Sequence, residues 1–223
     1  MTVNRNRAKP TELLRRAFIE MMKGVCTSIP GHILTFDPVT QLAQVQVGIV
    51  RVDVNDAVFE VGPIIETPVH FPGSDYCIEY QIDPGCEGWI MFSQRCIDGW
   101  IQSGGIAANP IGRFHDMQDA CFIPGLRPIP DALPSFQNNG VRLRNREGTQ
   151  FAWLKNDGSI MIENGAGHIR MATDGTVTIN GVTINTASLV QTPNDVRAAT
   201  VSLKTHIHSG VTPGSGNSGA PVP

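Results

Sequence analysis

The chain has 223 residues, of which 41% are hydrophobic and only 17% charged, with 23 glycines and 16 prolines. That length holds one medium domain plus a smaller segment, or one elongated multi-part subunit, and the Gly and Pro content suits short strands and turns better than a helical bundle. A net charge of −3 with no dense basic block excludes a dedicated nucleic-acid binder, and no apolar run reaches the roughly 18 residues that a membrane span needs.

Residues 1–9 are polar and lack the apolar stretch of a secretory signal. Pro10 opens, and Gly24 closes, a segment with helical punctuation. Leu13, Leu14, Ala17, Phe18, Met21 and Met22 fall on one stripe at helical spacing, with Arg15, Arg16, Glu20 and Lys23 off it. The stripe predicts a helix packed on its own domain; the sharper alternative is a docking helix for another protein.

From Gly31 to about Leu126 the pattern is all-β. Ile33, Leu34 and Phe36 lead into an Asp37-Pro38 turn, and Leu42 to Val47 alternates apolar and polar residues as a half-buried strand does. Ile64, Ile65, Pro68 and Val69 precede a Phe71-Pro72-Gly73 turn, Asp83-Pro84-Gly85 marks another, and Gly88 to Phe92 reads as a buried strand. About five short strands with such turns fit a small barrel of the OB type. The five cysteines, Cys26, Cys77, Cys86, Cys96 and Cys121, contain no CxxC pair and are expected to be buried free thiols in a protein made in a reducing cytoplasm. Residues 123–134 hold four prolines in twelve positions, which excludes a helix or a central strand and predicts an extended linker.

Beyond Gly140 the character changes. Arg142, Arg144 and Arg146, spaced by two, predict the solvent face of a strand. Leu154 to Ile162 and Met171 to Ile179 align at a shift of 17, with Asp157-Gly158 and Asp174-Gly175 at the turns, Ile160 and Ile162 in one copy and Val177 and Ile179 in the other. Asn180-Gly181 and Val182 to Ile184 add one more turn and strand. Each unit has a thin apolar row and little bulk, so one chain cannot close a core from it. Three copies wound about a common axis can, each giving one face of a prism, with Ala166, Gly167, Ala172 and Gly175 small enough for close approach. About six strand passes at ~4.8 Å each extend such a face by about 30 Å.

His206 and His208 sit two apart near the C-terminus, so in an extended segment both imidazoles face one side and Ile207 the other. Two ligands are too few for a tight metal site, but a threefold axis makes six. A six-nitrogen octahedral shell suits iron, nickel or cobalt better than zinc. The tail that follows has almost no bulk or charge, and a metal is one of the few staples left for such a tip. A closed six-ligand shell leaves no position for substrate, so the metal is expected to be structural.

These residues together resemble the membrane-piercing central spike and baseplate assembly proteins of contractile phage tails. The resemblance rests on Ile33 to Gln41, Val45 to Val47, Pro68 to Gly73, Pro84 to Phe92, Arg95 to Trp100, Arg113 to Ala120, Thr205 to Gly214 and Gly219 to Pro221. It implies a mainly β homotrimer: an N-terminal helix, an OB-fold barrel as collar, then an intertwined trimeric triple-stranded β-helix and a pointed metal-bound apex. It further implies one iron ion per trimer, octahedral, held by six His nitrogens from His206 and His208 of three chains. The proline-rich linker has no counterpart in that pattern, and the lysozyme domain of some tail hubs has no equivalent segment here.

The organisation expected is an arm and helix over 1–24, a collar over 25–126, a linker over 127–140, a needle over 141–194 and an apex over 195–223. The function expected is a non-enzymatic virion component, assembled in the host cytoplasm, that attaches to tail hub and baseplate proteins through its helix and collar. It punctures the host outer membrane when the sheath contracts. The rivals are a receptor-binding fibre or a baseplate assembly protein without a piercing role, and an envelope-degrading enzyme. The chain has no GxSxG, HExxH or P-loop motif, and Cys86, Cys96 and His115 are the residues from which a nucleophile and base could be imagined.

Overall fold

The structure, a computed structural model, describes residues 9–52, 55–108, 111–187, 189–207, 210 and 214. It is mainly β with a short N-terminal helix and divides into two compact units, residues 1–132 and 133–223. No helix among the described residues is long and apolar enough to cross a membrane.

The first unit opens with helix α1 (Pro10–Lys23), with Pro at its first turn and Gly24 as its C-cap. Its strands are β1 (Ser28–Asp37), β2 (Leu42–Val47), β3 (Arg51–Val52), β4 (Val58–Phe59), β5 (Ile64–Pro68), β6 (Glu87–Phe92) and β7 (Ala120–Pro124), with a short helix α2 (Asp98–Ser103) before β7. Five of them form an antiparallel sheet in the order β5-β2-β1-β6-β7, and β3 pairs with β4 as a separate ribbon. The sheet curls into a half-barrel whose two edges meet. Val69, just past β5, forms a parallel bridge with Phe122 of β7, and the His70 N–H donates to the Phe122 carbonyl at 2.9 Å.

Alternation explains the core. Ala43, Val45 and Val47 on β2, Ile33 on β1, Ile90 on β6 and Ala120 and Phe122 on β7 all turn to the inner face and are buried, with Ile64 and Val69 closing the seam. The strands can curl this tightly because Gly31 and Gly88, opposite each other on β1 and β6, keep the inner face empty where Ile90 and Phe122 pass over them.

The proline-rich stretch holds a single three-residue 3-10 turn, Ile129–Asp131, flanked by extended backbone at Pro128. The second unit then runs as β8 (Gly140–Arg144), β9 (Phe151–Lys155), β10 (Ile160–Glu163), β11 (His168–Met171), β12 (Val177–Ile179), β13 (Val182–Ile184) and β14 (Val190–Gln191). Every strand pairs antiparallel with its sequence neighbour, giving a seven-stranded meander. A last hairpin joins β15 (Arg197–Ala198) to β16 (Val201–Ser202).

The 17-residue repeat is two equivalent hairpin turns. The Ser159 N–H donates to Asp157 Oδ1 at 2.8 Å and the Thr176 N–H to Asp174 Oδ1 at 2.9 Å. Gly158 and Gly175 follow at φ +89° and +87°, a conformation that needs glycine. Both carboxyls are held below the ordinary carboxylate range: Asp157 by the Ser159 hydroxyl first, Asp174 by the Thr176 N–H first.

Two expectations are corrected. The apolar stripe of α1 is not packed on its own unit, since no residue of the helix is buried and Leu14, Phe18 and Met21 are 71%, 64% and 75% exposed. The five cysteines are all free, but only Cys96 is buried. Arg142 and Arg144 share the side of β8 opposite Val141 and Leu143; the two arginines are half-buried and the two apolar residues exposed. Ala166, Gly167, Ala172 and Gly175 lie in the turns on either side of β11.

Candidate functional site

The side chains of the second sheet fall into two sharply different faces. Across the strands, Val141, Leu154, Ile160, Met171, Val177, Ile184 and Val190 stand opposite one another in register, and all seven are apolar. Two residues along each strand, Leu143, Ala152, Ile162, Ile169, Ile179 and Val182 form a second row on the same side. On the other side, the row through Arg142, Trp153, Met161, Arg170, Thr178, Thr183 and Gln191 is mixed.

From β8 to β10 the apolar side is the more exposed one. Leu154 is 57% exposed, Ile162 49% and Val190 60%, whereas Trp153 is buried. The mixed face is covered by its own long side chains. The Arg142 guanidinium lies 3.8 Å from the centre of the Phe151 ring and Lys155 Nζ lies 4.5 Å from that of Trp153. Arg144 donates to the carbonyls of Pro134 at 2.8 Å and Arg146 at 2.6 Å, tying the end of the proline-rich stretch to β8. Because β9 to β13 have both edges taken within the chain, what the sheet leaves open to another chain is an apolar face.

The sequence pointed to Ile160, Ile162, Val177 and Ile179 as the apolar rows. The register extends them to Val141, Leu143, Leu154, Ile169, Met171 and Val190. The period-two alternation of β8, β9 and β11 carries that signal.

Near the C-terminus, His206 follows the β15–β16 hairpin. Its Nδ1 lies 2.9 Å from the Ser202 carbonyl oxygen and 3.1 Å from that of Leu203. A carbonyl only accepts, so the neutral ring carries its proton on Nδ1 and its lone pair on Nε2, the tautomer of a metal-binding imidazole. His208 lies outside the described residues. Around His206, the Ser202 carbonyl also accepts the His206 N–H at 3.0 Å, Ser202 Oγ accepts the Thr205 N–H at 2.9 Å, and Asp195 Oδ1 accepts the Lys204 N–H at 3.1 Å.

A second polar cluster lies in the first unit. Among the described residues, Cys96, Asp98 and Asp119 are close enough to share a cation. The Arg113 guanidinium serves as that cation: it reaches Asp119 at 2.8 Å, Asp98 at 2.7 Å and Cys96 Sγ at 3.2 Å. Asp119 has no exposed surface, and Arg113 holds its carboxyl below the ordinary range. His115 Nδ1 is 3.1 Å from the Cys26 carbonyl oxygen, Cys96 Sγ is held by Arg113, and burial pushes the Cys86 thiol up.

Comparison with known families adds two matches. Residues 29–125 match the family described as Phage protein Gp138 N-terminal domain, and residues 201–222 match the GpV Apex motif. The first covers the curled half-barrel and the second begins at β16 and includes His206. No curated protein sequence matches the chain. A domain match of the one kind and an apex match of the other are carried on one polypeptide, and both are features of phage baseplate and central-spike proteins.

Proposed function

We propose that the chain is the structural spike at the tip of a contractile phage tail, acting as a homotrimer that is driven through the host outer membrane when the sheath contracts. The observation that carries this reading is the pair of apolar rows left open along the whole second sheet. A sheet needs a second layer over its apolar face, and the described residues of this unit supply none. Three copies facing a common axis cover one another. Completing the burial of each side chain contributes about 1 kcal/mol, on the order of 10 kcal/mol per chain before association costs.

The finer architecture follows from the same reading. The five-stranded sheet of the first unit, with edges meeting between β5 and β7, supports an OB-fold collar. The second sheet is one face of the trimeric β-helix needle. The chain ends in an apex where three copies bring His206 and His208 to the axis and hold one iron ion with six imidazoles. Bound there, iron supplies a crosslink between chains, not a reaction centre. The exposed stripe of α1, with the collar, supports attachment to hub and baseplate proteins of the tail. The protein carries no catalytic role in this reading and resides in the virion after assembly in the host cytoplasm.

Puncturing needs axial stiffness and a narrow point. A prism closed by apolar faces resists bending because bending exposes those faces to water, and a residue-poor apex is narrow because it has no core to enclose. Light scattering with elemental analysis tests the proposal: a mass of three chains and one iron per three chains are expected. A well-folded monomer in dilute buffer overturns it. Leakage of dye from outer-membrane vesicles under driven contact with assembled tails separates piercing from a purely baseplate role.

A further inference from the structure

We propose that Asp195 and Ser202 are the positioning residues of the apex, orienting His206 for its metal; this rests on the metal reading given above. The apex hairpin has almost no apolar support. Val196, Val201 and Leu203 are 52%, 57% and 67% exposed. What it has is a polar hub. The Asp195 carboxylate accepts from the Lys204 N–H and from Arg197 Nε, both at 3.1 Å, and the Ser202 side chain is the first cause of its lowered pKa. Ser202, buried to 7% exposure, uses its Oγ to accept the Thr205 N–H. The two side chains thus tie down both ends of the turn 202–206 from below, and the Ser202 carbonyl is left pointing at the His206 ring.

That carbonyl accepts both the backbone N–H and Nδ1–H of His206. A ligating histidine characteristically donates its other ring N–H to a carboxylate or a backbone carbonyl, which fixes the tautomer and the ring plane. Here the carbonyl does so directly, and Asp195 acts at one remove, by holding the residue that owns the carbonyl. Asp195 lies ahead of the Apex match, which begins at residue 201, so the apex draws one of its supports from outside its own motif.

The variants Asp195→Asn, Ser202→Ala and Ser202→Thr, made in the full chain, test this. Each is stripped with chelator and titrated with Fe(II), and separately with Co(II), whose visible spectrum reports the ligand field. Asp195→Asn and Ser202→Ala are expected to weaken metal binding about 10- to 100-fold, with trimer mass unchanged and a shifted Co(II) band. Ser202→Thr, which keeps the hydroxyl, is expected to restore wild-type affinity. Wild-type affinity in Asp195→Asn and Ser202→Ala overturns the inference. So does a loss of affinity that comes only with loss of trimer mass, because the residues then act on assembly. The control is His206→Ala combined with His208→Ala. If that variant keeps its metal, the metal reading itself fails. If it loses the metal while Asp195→Asn does not, only the positioning role fails.

Discussion

Gly31 and Gly88 face each other across β1 and β6, and each lies beneath a core side chain of a neighbouring strand. A methyl group on Gly31 would come within 2.6 Å of Ile90 Cδ1, and one on Gly88 within 2.5 Å of Phe122 Cζ. Overpacking of this kind costs about 1–3 kcal/mol. Gly88→Ala is therefore expected to lower the melting temperature of the first unit, whereas Gly62→Ala, where a methyl group meets nothing within 4 Å, is expected to leave it within experimental error. Thermal unfolding of the full chain followed by Trp89 fluorescence checks both.

The Arg113–Asp119 pair makes the half-barrel acid-sensitive in a definite direction. The folded-state pKa of Asp119 is held below its ordinary value of 3.8, first by the Arg113 hydrogen bond. Its contribution is fully present above that ordinary value and is lost as pH falls through the lower, folded-state value. Asp119→Asn removes one partner of a buried pair and is expected to cost about 3 kcal/mol at neutral pH. The difference between variant and wild type is expected to shrink in strong acid. Urea midpoints at several pH values measure it, and a gap that stays constant below pH ~4 contradicts the assignment.

The two faces of the second sheet are expected to respond oppositely to the same change. Ile162→Glu and Ile169→Glu place charges in the open apolar rows and, under the proposed threefold packing, should leave monomers at micromolar concentration. Thr178→Glu, on the mixed face, should leave the mass unchanged. Light scattering of the three variants decides. Dissociation by Thr178→Glu alone would mean that the covered face had been chosen wrongly.

Because α1 buries nothing in its own unit, Leu14→Glu with Phe18→Glu is expected to change the stability of the chain by no more than about 0.5 kcal/mol. The loss should appear in assembly: incorporation into tails is expected to fall, measured by complementation of a tail lacking the native spike. A large drop in thermal stability would show that the helix packs on its own protein after all.

Much of this fold is legible in the residues. The run Leu42 to Val47 alternates and becomes β2 with the same bounds, and the Asp-Gly turns that repeat at 17 residues become matched hairpins. Pro10 and Gly24 bracket α1. What escaped was set by register. Whether Val141 or Arg142 faces outward depends on which side of β9 each meets, and no property of β8 alone decides it. The α1 stripe could be read as amphipathic but not as covered or bare, since that depends on partners. The hub of Asp195 and Ser202 joins residues with no motif between them. It emerges only when the hairpin brings Lys204 back beside Asp195.

The pairing of every strand from β8 to β14 with its immediate sequence neighbour has a consequence for assembly. Such a sheet closes only short loops, so it can form quickly on each polypeptide before any encounter between chains. Under the proposed threefold packing, the meeting of chains is then the slower, concentration-dependent step, and the sheet gains lasting stability only there, so before it each copy is a short-lived intermediate with bare apolar flanks that any other sticky surface could capture.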